Sequence, residues 1–188
     1  MIHLLKYDKE YEWLIEVNGD YVAYAVSGEA YDYVEQTSKR MRRLAEKMYS
    51  FPFYLYFESY YESPECILQE KDFDIRYKPS ERTVLTQTGR KTFQAEVPAF
   101  TVTITNTYLL DKAFELWFQN SFDNHLWAIT QEDIVYYKNG YASVDLTGGI
   151  TILATEHDAN GFTLITNQVD YQKESLLRAF LEETIKEL

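Results

Sequence analysis

Apolar and polar residues alternate through much of this chain, and where the alternation stops the apolar ones recur at helical spacing. Residues 11–26, YEWLIEVNGDYVAYAV, carry an Asn-Gly pair at Asn18-Gly19 between two alternating runs. Asn-Gly favours a two-residue type I′ hairpin, because both central positions need φ > 0. In that register Ile15 faces Val22, Trp13 faces Tyr24 and Tyr11 faces Val26, which makes one face apolar and the other mixed. Asn139-Gly140 predicts a second hairpin, with Tyr137 opposite Ala142 and Val135 opposite Val144. A third joins ITILAT (150–155) to FTLITN (162–167) through a turn over 158–161 that contains Asn160-Gly161.

Residues 51–62, FPFYLYFESYYE, alternate strictly. Phe51, Phe53, Leu55 and Phe57 point one way, and Tyr54, Tyr56, Glu58 and Tyr60 the other. Shorter runs at 66–69, 73–78 and 83–87 read as strands. Residues 92–106 read as strand on either side of Pro98, which suits an edge or a bulge.

Helical spacing appears three times. Ala30, Val34, Thr37, Met41, Leu44, Ala45 and Met48 predict a helix over about 29–49, with Ser27 as a candidate cap. Leu110, Ala113, Phe114, Trp117 and Phe118 predict a short helix near 109–119. Leu176, Leu177, Phe180, Leu181, Thr184, Ile185 and Leu188 predict another over 171–187, with Asp170 as its N-cap. Tight turns join antiparallel strands, whereas parallel ones need long crossovers. The expected fold is therefore α+β: one domain over 1–188, a mainly antiparallel, meander-like sheet built from hairpins, with the two long amphipathic helices on one face.

Composition changes this picture in two ways. The chain has 17 Tyr, 11 Phe and 3 Trp in 188 residues, and 30 acidic against 18 basic side chains give a formal charge of −12. That balance disfavours nucleic-acid phosphates and anionic lipid, and favours attraction to basic partners. The charge is uneven: residues 1–38 hold 2 basic and 8 acidic side chains, and residues 113–188 hold 4 and 12. Between them Lys39, Arg40, Arg42, Arg43 and Lys47 cluster on the first helix against Glu46, as a solvated outer face would. The single cysteine, Cys66, excludes an internal disulfide framework and fits a reducing compartment. MIHLLKYDKEYEW lacks the basic start and apolar run of a signal peptide, and no stretch reaches the length of a membrane span. The expected location is cytoplasmic.

Chemistry-bearing motifs are scarce. Gly148-Gly149 lies between strands, the wrong context for a nucleotide loop, and no Cys-x-x-Cys or His-Glu-x-x-His spacing occurs. Glu156, His157 and Asp158 are adjacent, so their side chains diverge on a strand and read as a polar hairpin end, without a metal. Ser121, Asp123 and His125 are close in sequence, but a relay is defined by spatial geometry. Cys66 reads as a small apolar residue before a nucleophile. No cofactor is expected, and catalysis is not.

Two functional readings follow. In the first, Tyr54, Tyr56, Glu58 and Tyr60, with Tyr61 and Glu62 beyond them, form a strip of tyrosines and carboxylates that binds a basic partner protein. By analogy of composition, this would be an inhibitor or immunity-type protein occluding a toxin or nuclease. In the second, the domain binds a small molecule in an aromatic-lined cavity between sheet and C-terminal helix, near Trp13, Tyr24, Phe57 or Trp117. A flat, exposed tyrosine strip would favour the first, and a cavity with convergent polar groups the second.

Overall fold

The structure is a computed structural model that describes residues 3–7, 14–27, 32–60 and 62–185. The chain runs β1 (Leu4–Lys6), β2 (Ile15–Asn18), β3 (Val22–Ser27), α1 (Tyr33–Met48), β4 (Phe53–Glu58), α2 (Pro64–Leu68), β5 (Asp74–Thr88) and β6 (Lys91–Ile104). It continues through α3 (Thr107–Trp117), β7 (Trp127–Thr130), β8 (Tyr136–Lys138), β9 (Tyr141–Asp145), β10 (Thr151–Thr155), β11 (Gly161–Thr166), α4 (Val169–Gln172) and α5 (Glu174–Ile185). Eight strands form one antiparallel sheet in the order β1-β3-β11-β10-β7-β4-β6-β5, and β2, β9 and β8 form a second, smaller sheet. The α+β class expected from the pattern is the one observed.

Period-two alternation sorts the large sheet's side chains onto two faces, each covered differently. Phe53, Leu55 and Phe57 of β4, Phe100 and Val102 of β6, and Trp127 and Ile129 of β7 pack beneath Met41 and Leu44 of α1, Leu110, Phe114 and Trp117 of α3, and Leu177 and Leu181 of α5. The opposite face carries Tyr56, Ala128, Ile152, Ala154 and Ile165, which pack against Ile15, Val135, Ala142 and Val144 of the small-sheet region. The molecule thus has three layers: helices, large sheet, small sheet.

Several local expectations hold. Asn139 and Gly140 both have positive φ, at 55° and 80°, and Tyr137 pairs with Ala142 across the β8–β9 turn. β10 and β11 pair antiparallel around the turn before Gly161. The short helix is α3, capped by the Asn106 side chain accepting from the Leu109 amide.

The first hairpin does not form. β2 pairs in parallel with β9, Ile15 beside Ala142 and Val17 beside Val144, while β3 joins β1 and β11 in the other sheet. Asn18-Gly19 carries the chain from one sheet to the other. Gly19 has φ 106°, and a Cβ there would sit 3.0 Å from the Leu146 carbonyl oxygen, so the turn lies closely on the end of β9. Asn18 also donates from Nδ2 to Asp145 at 3.0 Å, while its carbonyl accepts from the Leu146 amide at 2.9 Å. Trp13, Tyr11 and Glu12 lie outside the described residues.

Four smaller corrections follow from capping and pairing. Residues 66–69 are not a strand, because Ser63 caps α2 and Pro64 sits at its first position, where the missing N–H is harmless. Ser27 ends β3, and Asp32 occupies the N-cap position of α1. Residues 73–78 and 83–87 belong to one long strand, β5, interrupted by a register shift between Pro79 and Thr83, with Pro98 opposite Pro79. The C-terminal helix is broken at Lys173 into α4 and α5, and Asp170 lies inside α4, whose N-cap is Gln168.

Candidate functional site

On β4, the alternation that sends Phe53, Leu55 and Phe57 under the helices turns Tyr54, Tyr56 and Glu58 toward the small sheet. This face is not an open surface. Of the strip's described residues, Tyr56 and Glu58 are each 2% exposed, Tyr54 and Tyr60 are half-buried, and Glu62 lies in solvent. Tyr61 lies outside the described residues.

The basic groups expected from a partner are supplied by the chain itself. Arg76 pairs with Asp133 at 2.7 Å and lies over the Tyr54 ring, and Lys78 lies over the Tyr56 ring. Tyr56 donates from its hydroxyl to Asp133 at 2.9 Å and accepts from the Ile134 amide at 3.0 Å. Burial holds that phenol well above its ordinary range. Tyr56 and Glu58 therefore belong to an inner layer satisfied within the molecule and are not exposed for docking, whereas Tyr54 and Tyr60 are part-exposed and Glu62 is exposed.

Glu58, at the end of β4, is the exception, because its carboxylate reaches a cleft. The register shift in β5 turns Arg82 inward: Ser80 Oγ donates to the Val97 carbonyl and accepts from the Arg82 amide at 3.1 Å, while Glu81 adopts φ 57°. Arg82 then donates to Glu58 Oε2, which also accepts from the Leu126 amide at 3.2 Å, and Tyr137 donates to Oε1 at 3.3 Å. Burial pushes the Glu58 carboxyl above its ordinary range, and Arg82 and the Leu126 amide pull it back. Arg82 Nε is buried with no acceptor.

The β8–β9 turn closes over this arrangement. A Cβ on Gly140 would lie 3.2 Å from the Glu81 carbonyl oxygen, so turn and bulge are in close contact. Between them lies a cleft of about 510 Å³, lined by Leu14, Glu58, Glu81, Arg82, Thr83, Asn139, Gly140 and the exposed Tyr141. Sequence reading identified Glu58 but not Arg82, Tyr137 or Tyr141. The Asn139-Gly140 turn was the one local signal of the cleft's roof, and nothing in the sequence ties it to β5.

His125, just before β7, is buried, and its imidazole is held down to about 4 by burial and by the Arg82 charge, against the opposing pull of Asp123. Between about pH 6.5 and 4 the unfolded chain therefore takes up a proton that the folded chain refuses. Stability is lost as pH falls through that window, by about 3 kcal/mol in all. Denaturant titrations at pH 7 and pH 4.5 check this: the wild type should lose more stability on acidification than His125→Gln, and equal losses would remove His125 as the cause. Glu58 works in the opposite sense, since a raised carboxyl gains its proton first in the folded state.

The other candidates do not assemble. Ser121 donates to the Phe118 carbonyl at 2.6 Å, and Asp123 is exposed while His125 is buried. His157 pairs with its neighbour Asp158 at 2.9 Å, and Cys66 is exposed on α2 beside Ser63. Among the described residues no group of three His, Cys, Asp or Glu side chains could hold a metal ion. No helix among them is long and apolar enough to cross a membrane. Phe57 and Trp117 do meet, stacked at 5.0 Å, but as filled core with Tyr24, and Leu177, Leu181 and Ile185 close the sheet against α5. Among the described residues Tyr24, Phe57 and Trp117 thus fill the core, and the cleft lies on the opposite side of the sheet; Trp13 lies outside the described residues. Comparison with known protein families, curated proteins and solved structures returns no match to this chain.

Proposed function

We propose that this chain is a small-molecule-binding domain whose site is the cleft between the β5 bulge and the β8–β9 turn, and that its ligand is a neutral polyhydroxylated ring such as a monosaccharide unit. The reading is carried by one observation: a cleft of about 510 Å³ whose lining joins the buried Glu58, paired with the part-buried Arg82, to the exposed ring of Tyr141. A pocket with a few convergent polar groups is the usual form of a ligand site.

Charge selects the ligand class. Glu58 and Arg82 offset each other and Glu81 leaves the lining negative, which disfavours an anion; a cation would have to approach the Arg82 guanidinium. A neutral ring avoids both penalties. Its apolar face can lie on Tyr141, and its hydroxyls can donate to Glu81 and exchange hydrogen bonds with Asn139 and Thr83.

Saturation-transfer NMR with glucose, galactose, mannose and N-acetylglucosamine, and with phosphate and acetate as anionic probes, tests this. At least one sugar should bind with Kd in the millimolar range or tighter, about −4 kcal/mol, and Tyr141→Ala should abolish the signal. Silence from every sugar, binding of the anions alone, or signal unchanged in Tyr141→Ala would overturn the reading.

A further inference from the structure

Beyond that cleft, the structure has a strand pair whose outer part is exposed on both sides and a groove of complementary chemistry. β4 pairs with β6 only from Ala99 to Ile104, so residues 83–88 and 91–96 form a two-stranded ribbon with no third strand among the described residues. An isolated pair of strands is marginal in water. This ribbon also exposes apolar side chains, Leu85 at 75% and Phe93 at 46%. Next to its turn stand Arg90 and Lys91, both exposed and without an ion pair among the described residues. In a chain of net charge −12, a basic, apolar-sided arm stands out against the rest of the surface.

The groove lies on the helical layer. The start of α1 and the end of α3 with the 3₁₀ segment Phe118–Asp123 enclose about 580 Å³. Phe114 and Phe118 form its floor, Tyr33 and the exposed Phe122 its walls, and Asp32 and Glu115 its rim. Glu35 also lines it but is already paired with Lys39. The two strongly acidic stretches of the chain, residues 1–38 and 113–188, each supply one side.

We infer that the chain associates with itself, the β5–β6 ribbon of one copy seating in the α1–α3 groove of another. Phe93, on the same ribbon face as Lys91, supplies the apolar contact for the phenylalanine-lined floor, Leu85 on the opposite face packs toward the groove wall, and Arg90 and Lys91 meet Asp32 and Glu115. An aromatic floor with an acidic rim selects a basic, apolar segment, and this chain carries one. Unlike the cleft reading, the inference needs no ligand and stands independently of it.

Sedimentation of the full chain at low and high salt tests it. The wild type should associate at concentrations on the order of 100 µM, more weakly as salt screens the rim charges. Leu85→Ser/Phe93→Ser, Arg90→Glu/Lys91→Glu and Asp32→Lys/Glu115→Lys should each remain folded by circular dichroism and weaken association about tenfold or more. Mixing the two charge-reversed chains should restore it. A wild type that stays monomeric, or an association lost with the ribbon variants but indifferent to the groove variants and not rescued by mixing, overturns the inference.

Discussion

Replacing Arg82 by methionine is expected to destabilise the fold by about 3–5 kcal/mol, because it strips the cation from a carboxylate that is almost fully buried at the edge of the cleft. Glu58 is 2% exposed, and its carboxylate keeps only the Leu126 amide and the Tyr137 hydroxyl once Arg82 is gone. Burial already raises that carboxyl against the pull of Arg82, so without Arg82 it rises further. The sign of the pH dependence follows. The deficit is greatest above the new, higher Glu58 value, where the buried group must ionise, and it shrinks as acid protonates Glu58 in the folded state first. Urea titrations at pH 8 and pH 5 should therefore give a larger difference from wild type at pH 8. Adding Glu58→Gln to Arg82→Met should recover part of the loss, since the uncompensated charge is then removed. A deficit below about 1 kcal/mol, or one that grows on acidification, would mean that Glu58 finds solvent or another cation.

Trp127→Ala should be comparably severe, about 3–5 kcal/mol, through a cavity at the centre of the helical face. Trp127 is fully buried on β7 and meets Phe114 edge-on at 4.7 Å and Phe118 at 5.0 Å. Those two rings are also the floor of the helical groove, so the loss loosens the groove as well as the core. Its indole Nε1 is buried without an acceptor, so Trp127→Phe removes an unsatisfied donor along with some volume. The phenylalanine variant should lose much less than the alanine one. Thermal and urea unfolding rank the two, and equal losses would show that ring packing is not what Trp127 contributes.

The candidate site was legible in fragments. Glu58 stood out in the alternation of residues 51–62, and Asn139-Gly140 announced the turn that roofs the cleft. Arg82 gave no signal, because it is aimed by a bulge that depends on Ser80 bonding to Val97 on the neighbouring strand. Tyr56 looked like a docking residue because tyrosine suits a half-wet surface. Its cover comes from β8 and β9, some 80 residues further on, and its surrounding charges from Arg76 and Lys78. The first Asn-Gly turn shows the same limit. The type I′ preference at Asn18-Gly19 is worth little against the six-residue ladder β3 makes with β11 and the four residues β2 pairs with β9.

By itself the sequence determined the class of the fold, the helix carrying Met41, Leu44 and Ala45, the α3 stripe, the second and third hairpins, and the facing of β4, with Phe53, Leu55 and Phe57 inward to the helices. All of these rest on spacing and turn chemistry within a few residues, where side-chain direction follows from backbone geometry. Only the tertiary structure decided which strands are neighbours, that a second sheet covers the tyrosine face, and that Glu58, Arg82 and Tyr137 meet. Those outcomes depend on pairings such as Ile15 with Ala142 and on what each apolar face can bury against. Such contacts join residues far apart in the chain, and no local pattern records their partners.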